Sequence, residues 1–307
     1  MVLCGVAAVC LLEQWGVVRQ ADEIHDRLVA MMDALPGRER FSFAWLESHW
    51  IARSCFRDLD PWRGVEQARR SLDDARVLGH LRIQGMSHRG LGYCYAALAA
   101  SADAHACFQR SGLKDEETGP TSSLRPFVAA WLAFQIGDLE DAHRHARYLL
   151  DLGRSRGLPL DESRGHWILA EVFRRRGDLA AAEAAAETGL ALAVPVDRPG
   201  ILATLAGARL AGGRTGEALA AAADAMALYR EFGFCSRFFG TALLRVVYTE
   251  CLLAAHQRER ARAAAADAKA WLLGIADKIG DARHRATFLE AVPEHRRILA
   301  LAECQFQ

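Results

Sequence analysis

Seven alanines, at positions 21, 68, 104, 142, 182, 218 and 261, constrain this chain more than any other feature of its sequence. Four follow a glycine turn by five residues: Gly16 to Ala21, Gly137-Asp138-Leu139 to Ala142, Gly177-Asp178-Leu179 to Ala182, and Gly213 to Ala218. Weaker copies place Arg63 and His256 at the turns before Ala68 and Ala261. The spacing averages 40 residues across the 307-residue chain. A fixed period of 20–50 residues is the signature of stacked supersecondary units, each unable to bury its apolar face alone.

Between the anchors nearly every segment reads as helix, with apolar residues three and four apart, and alternating strand-like runs are scarce. Prolines fall between segments (Pro36, Pro120, Pro159, Pro195, Pro199) or at first turns (Pro61, Pro126, Pro293), where a missing N–H costs little. The expected fold is therefore all-α: a superhelix of about seven helix pairs over residues 1–279, closed by capping helices over 280–307. The cap is expected to turn Phe288, Leu289, Ile298 and Leu301 inward, with Pro293 opening its last helix.

Within "GLGYCYAALAASADAHACF", residues 90–108, Leu91-Gly92-x-x-Tyr95 precedes Ala104-x-x-x-Phe108. This resembles the tetratricopeptide repeat, a helix–turn–helix unit of about 34 residues. The resemblance implies that Gly92 admits the second helix at close range and serves packing, not phosphate. The longer period adds about a turn to each helix. Such elongated repeats resemble the C-terminal sensor arms of bacterial multidomain signalling ATPases, including maltose-regulator-type activators and kinase-linked ATPases. The segment at 282–302 is similar to the closing segment of those arms, and the likeness spans almost the whole chain.

The resemblance implies an inner groove lined by the first helix of each pair. Carried over position by position, the groove takes Trp50, Arg53 and Arg57 in the second repeat and Arg89 and Tyr93 in the third. The fourth supplies Phe127, Trp131 and Phe134, and the fifth Arg164, Trp167, Glu171 and Arg174. Ala203, Gly207, Val246 and Glu250 continue the line with blander chemistry. Aromatic and arginine side chains dominate binding hot spots. The same stripe, at helical spacing, also fits an inter-repeat core with solvated arginines.

Composition narrows the chemistry. Thirty-eight basic residues balance 38 acidic ones, so nothing prompts a direct nucleic-acid role. Lysine occurs only at 114, 269 and 278, a bias suggestive of a GC-rich genome. The eight cysteines lack C-x-x-C spacing and read as small buried hydrophobes in a reducing, cytoplasmic setting. The opening MVLCGVAAVCLL lacks a basic n-region and a cleavage site, and is too short to span a bilayer. It reads as a buried helix, as if the chain began within a longer ancestor.

"GARLAGGRT" at 207–215 lacks the lysine and the preceding strand of a phosphate loop. His143 and His145, two apart, face different directions on a helix and share no metal. The acidic run 115–117 belongs to a polar loop from Gly112 to Pro126.

These readings converge on a module without catalysis or cofactor, expected to bind a protein or peptide segment in bacterial signalling or transcriptional control. Its ATPase or kinase partner is expected on a longer or neighbouring chain. The alternative is a small-molecule inducer sensor belonging to a regulatory ATPase.

Overall fold

The computed structural model describes Val9, Leu12 and residues 17–34, 60–112, 124–232 and 237–304. Among the described residues the protein is all-α, with fourteen helices and no strand. It divides into two compact units, Met1–Lys114 and Asp115–Gln307. The expected opening helix and the acidic run at 115–117 lie essentially outside the described residues, as does the Gly16 turn.

The first unit holds α1 (Val18–Asp33), α2 (Pro61–Val77), α3 (Leu81–Ala97) and α4 (Ser101–Ser111). Helix α3 packs against both α2 and α4. The second holds α5 (Leu124–Gln135), α6 (Leu139–Arg156), α7 (Pro159–Arg176), α8 (Leu179–Leu192), α9 (Arg198–Ala211), α10 (Thr215–Phe232), α11 (Arg237–Ala254), α12 (Arg258–Ala276), α13 (Ala282–Ala291) and α14 (Pro293–Cys304).

All seven anchor alanines are fully buried. Six are the fourth residue of their helix: Ala21, Ala104, Ala142, Ala182, Ala218 and Ala261. Ala68 departs from this, because α2 begins a turn earlier. Asp60 caps it by accepting the Arg63 N–H, so Arg63 lies inside the helix and not at a turn. Pro159 and Pro199, expected between helices, occupy the first turns of α7 and α9. A first-turn N–H has no intrahelical acceptor, so proline fits there.

One hydrogen-bonded turn is reused throughout. At Gly177 the chain takes φ +81°, the Asp178 N–H reaches the Phe173 carbonyl at 3.0 Å, and the Gly177 N–H reaches that of Arg174 at 3.1 Å. This closes α7 with a Schellman motif. Asp178 then accepts the Ala181 N–H at 3.1 Å, capping α8. Gly137 and Asp138 repeat the arrangement between α5 and α6. Each Gly-Asp pair thus ends one helix and starts the next.

His256 occupies the same left-handed position, at φ +58°. A side-chain-bearing residue is strained there by sterics that glycine lacks. His256→Gly is expected to raise unfolding stability by about 0.5–1 kcal/mol, read from the urea midpoint. A lower midpoint would show instead that the imidazole makes a contact worth more than the strain.

Close helix approach is visible at Gly92, where an added Cβ would lie 2.5 Å from the Phe108 ring. Leu91 and Tyr95 are buried around it. Gly92 therefore serves packing. The 207–215 segment is likewise the end of α9, a turn at Gly212-Gly213 and the start of α10.

In the second unit the first helices α5, α7, α9 and α11 pack side by side in sequence, forming a continuous layer. Their partners α6, α8, α10 and α12 pack behind them, and α14 closes onto α11 and α12. Phe288, Ile298 and Leu301 are buried at this end, while Leu289 is half-buried.

His295 is sealed into the same end. It is 1% exposed, its Nδ1 is 2.7 Å from the Phe288 carbonyl oxygen, and the Phe288 and Trp271 rings flank it at 4.3 and 6.4 Å. Burial holds its pKa down at about 4. Above the unfolded value of about 6.5 the neutral ring costs nothing extra. As pH falls from there towards 4, the unfolded chain takes up a proton that the folded chain refuses, so stability is lost. The loss reaches about 3 kcal/mol near pH 4, at 1.36 kcal/mol per unit. Urea midpoints measured between pH 7.5 and 4.5 should fall less steeply for His295→Leu than for the wild type. Parallel curves would remove His295 as the cause.

Candidate functional site

Helix α7 carries the chemistry of the second unit. Arg164, Trp167, Glu171 and Arg174 lie three or four residues apart and so share one face. At the N-terminal end of that face, Arg164 is almost fully buried. Its Nε donates to Asp197 Oδ2 at 3.0 Å, and its guanidinium sits 5.6 Å from the Phe127 ring centre. Asp197 stands at the N-cap position of α9 yet caps nothing: its backbone is already helical there, at φ −86° and ψ −22°, and its Oδ2 faces Arg164.

One turn on, Trp167 is 0% exposed. Its Nε1 donates to Thr204 Oγ1 at 3.0 Å, and that hydroxyl donates to the Gly200 carbonyl at 3.2 Å. The rings of Phe127 and Trp131 meet it at 6.0 and 5.4 Å, and Phe134 meets Trp131 at 5.4 Å. The edge-on angles of the Trp131 contacts suit ring quadrupoles. A Cβ at Gly200 would lie 2.2 Å from the Trp167 ring, so α9 reaches this distance only as glycine.

At the C-terminal end the face becomes charged. Glu171 is fully buried, with Arg174 Nη2 2.8 Å away. The Glu171 carboxylate, with smaller help from Glu294 and Glu250, raises the pKa of Arg174. Gly207 of α9 faces the Arg174 stem, where an added Cβ would make ordinary contact at 3.4 Å from Cδ. Next to it, Arg175 reaches Glu294 of α14 at 3.0 Å and lies 4.2 Å over the Phe134 ring. Arg297 of α14 donates to Glu250 of α11 at 2.7 Å. Burial raises the Glu294 pKa despite the neighbouring Arg175, so its carboxylate is held in a poorly solvated place. Arg174, Arg175, Glu250 and Arg297 remain partly open to water.

The positions expected to line a groove thus have several environments. Phe127, Trp131 and Trp167 are brought together, but spend their faces on one another as packing between α5 and α7. Arg164 is brought to Phe127 and neutralised by Asp197. Glu171, Arg174, Gly207 and Glu250 converge on the charged cluster. In the first unit Arg89 and Tyr93 are both buried, Tyr93 meeting Phe108 edge-on at 5.4 Å. Trp50, Arg53 and Arg57 lie outside the described residues.

Sequence reasoning missed Asp197, Thr204, Arg175, Glu294 and Arg297. Asp197-Arg-Pro reads as an ordinary helix start, and nothing local betrays a partner 33 residues back. Glu294 and Arg297 lie one turn apart on α14, a spacing legible in sequence, but their partners are 119 and 47 residues away. Among the described residues Cys94, Cys107 and Cys251 are buried free thiols, and burial pushes Cys251 up to about 12. Among the described residues no three His, Cys, Asp or Glu side chains are grouped to hold a metal. None of the described helices is long and apolar enough to cross a membrane.

No protein-family model matches the chain, and no curated protein matches it. Solved structures do. A Rap protein complexed with competence and sporulation factor is 13% identical, with a TM-score of 0.60 over 98% of this chain and 97% of that one. The fold is that of a Rap-like helical repeat. The apo form of RapI is 10% identical, with a TM-score of 0.49 over the same shares of the two chains.

Proposed function

We propose that this chain is a non-catalytic interaction module of bacterial signalling or transcriptional control, acting in the cytoplasm. It takes a protein or peptide segment against the first-helix layer of the second unit. The observation that carries this reading is the half-open cluster of Arg174, Arg175, Glu250, Glu294 and Arg297, which draws both charge signs from three helices. A peptide presents carbonyl acceptors, N–H donors and charged side chains together, and a surface of paired guanidiniums and carboxylates satisfies all of them. Further support comes from the likeness in fold to a Rap protein whose structure holds the competence and sporulation factor. The resemblance to sensor arms of signalling ATPases extends the reading: the recognised state is passed to an ATPase or kinase on a longer or neighbouring chain.

The test compares wild type with a variant carrying Arg175→Ala and Arg297→Glu, two partly exposed positions. Affinity capture from the source cell, followed by titration of the purified captured protein, is expected to show at least about tenfold weaker binding by the variant. The circular-dichroism melting point should fall somewhat, since Glu294 and Glu250 lose their cations, so binding is compared at a temperature where both proteins are folded. Equal affinity would remove the charged cluster as the binding surface. Failure to capture any partner, with a melting point raised by members of a metabolite panel, would favour the inducer-sensor alternative.

A further inference from the structure

A second cleft, sharing no residue with the charged cluster, opens where α10 and α12 each pack on α11. It has a volume of about 410 Å³ and is lined by Met226 and Arg230 of α10, Arg245 and Tyr248 of α11, and Arg260, Ala263, Ala264 and Asp267 of α12. That volume lies in the range of small-molecule sites.

Its electrostatics are one-sided: three guanidiniums face one carboxylate. Arg245 forms the floor and is 7% exposed. It lies against the Tyr229 and Trp271 rings at 5.3 and 5.0 Å, and Nη1 donates to Asp267. Its Nε, also buried, has no hydrogen-bond acceptor among the described residues. The Asp267 side chain is 68% exposed, so the carboxylate answering Arg245 sits at the mouth of the cleft, free to swing out. Arg260 bonds Gln257 and the Tyr248 hydroxyl, and neither it nor Arg230 meets a carboxylate among the described residues.

A packed guanidinium floor, two guanidiniums without a carboxylate and the Tyr248 phenol bonded to one of them suit a doubly charged tetrahedral group. Arginine donors match phosphate oxygens in pairs. Met226, Ala263 and Ala264 add apolar wall beyond what a bare ion fills. We infer that this cleft binds the phosphoryl group of a small phosphorylated metabolite through Arg245, Arg260 and Arg230, with Asp267 giving way to it.

Trp271, held against Arg245, is the built-in reporter. The full chain is titrated with ribose 5-phosphate, inorganic phosphate and ribose while tryptophan emission and melting temperature are followed. Ribose 5-phosphate is expected to change the emission saturably and raise the melting temperature, with ribose inert. The emission change should vanish in Trp271→Phe while the thermal shift persists. Arg260→Gln should weaken binding by about tenfold, the loss expected of a charge-assisted contact, and Asp267→Asn should tighten it severalfold. Arg260 is exposed, so Arg260→Gln should melt close to the wild type without ligand; Asp267→Asn takes the carboxylate from the buried Arg245 and should melt lower, so its thermal shift is read against its own ligand-free value. Inorganic phosphate binding as tightly as the sugar phosphate would support the same site with free phosphate as its ligand. At least about tenfold weaker binding would support the metabolite. The inference is overturned if neither phosphate gives a saturable response up to about 10 mM. It is overturned equally if Arg260→Gln and Asp267→Asn bind like wild type. Neither result bears on the Arg175 and Arg297 experiment, which reads a different surface.

Discussion

Trp167→Ala is expected to lower unfolding stability by about 3–5 kcal/mol, the range for truncating a buried large aromatic. The side chain is fully buried, so nearly all its apolar surface returns as cavity. Phe127 and Trp131 lose their ring partner, and the Thr204 hydroxyl loses a donor. The walls are three helices pinned by their own pairs, so the void closes poorly. Urea denaturation followed by far-ultraviolet circular dichroism measures the loss. Trp167→Phe separates its sources, since it keeps a ring and forfeits the Thr204 bond, and should cost less. A change below about 1 kcal/mol in Trp167→Ala would mean that the α5–α7–α9 seam repacks freely, contrary to a site shaped around one indole.

The second large effect belongs to Asp197. Asp197→Ala leaves the Arg164 guanidinium buried without a counter-charge, and breaking such a pair costs about 3–5 kcal/mol. Loss of helix capping contributes nothing to this, because Asp197 makes no cap hydrogen bond. The double replacement Arg164→Met with Asp197→Leu should recover much of the stability, since neither charge then needs solvating. If Asp197→Ala melts like wild type, water reaches Arg164 and the pair is not the closed contact its burial implies. If the double variant is no better than Asp197→Ala, the pair's geometry stabilises the seam beyond its charge balance.

These residues also show how far a linear reading reaches. The Gly-Asp turns were legible because each acts locally, glycine supplying a left-handed φ and aspartate capping the helix that starts beside it. Gly92 with Ala104 and Phe108 was legible for a related reason, the repeat fixing which small residue faces which large one. The groove positions were legible only as a face. Helical spacing aligns Arg164, Trp167, Glu171 and Arg174, but it does not say what stands opposite. Opposite Trp167 stands Gly200, and that one missing Cβ draws α9 over the indole and makes packing of it. Opposite Arg174 stands Gly207, and beyond it the α14 carboxylate that keeps this end charged and half open.

Asp197 illustrates the limit most directly. Next to a helix start its residue type predicts a cap, worth about 1 kcal/mol. Its backbone is instead helical, at φ −86° and ψ −22°, which does not aim the side chain at the first turn, and its Oδ2 takes a charge-assisted bond from a buried guanidinium 33 residues earlier.

From the order of residues alone follow the helix pairs, their turns and the small side chains that let them nest, because each depends on backbone sterics within one repeat. Which side chains end up sealed, which remain wet and which distant charges meet was decided by tertiary packing. Helix approach depends on the residue facing each position, and solvation of a charge depends on everything around it.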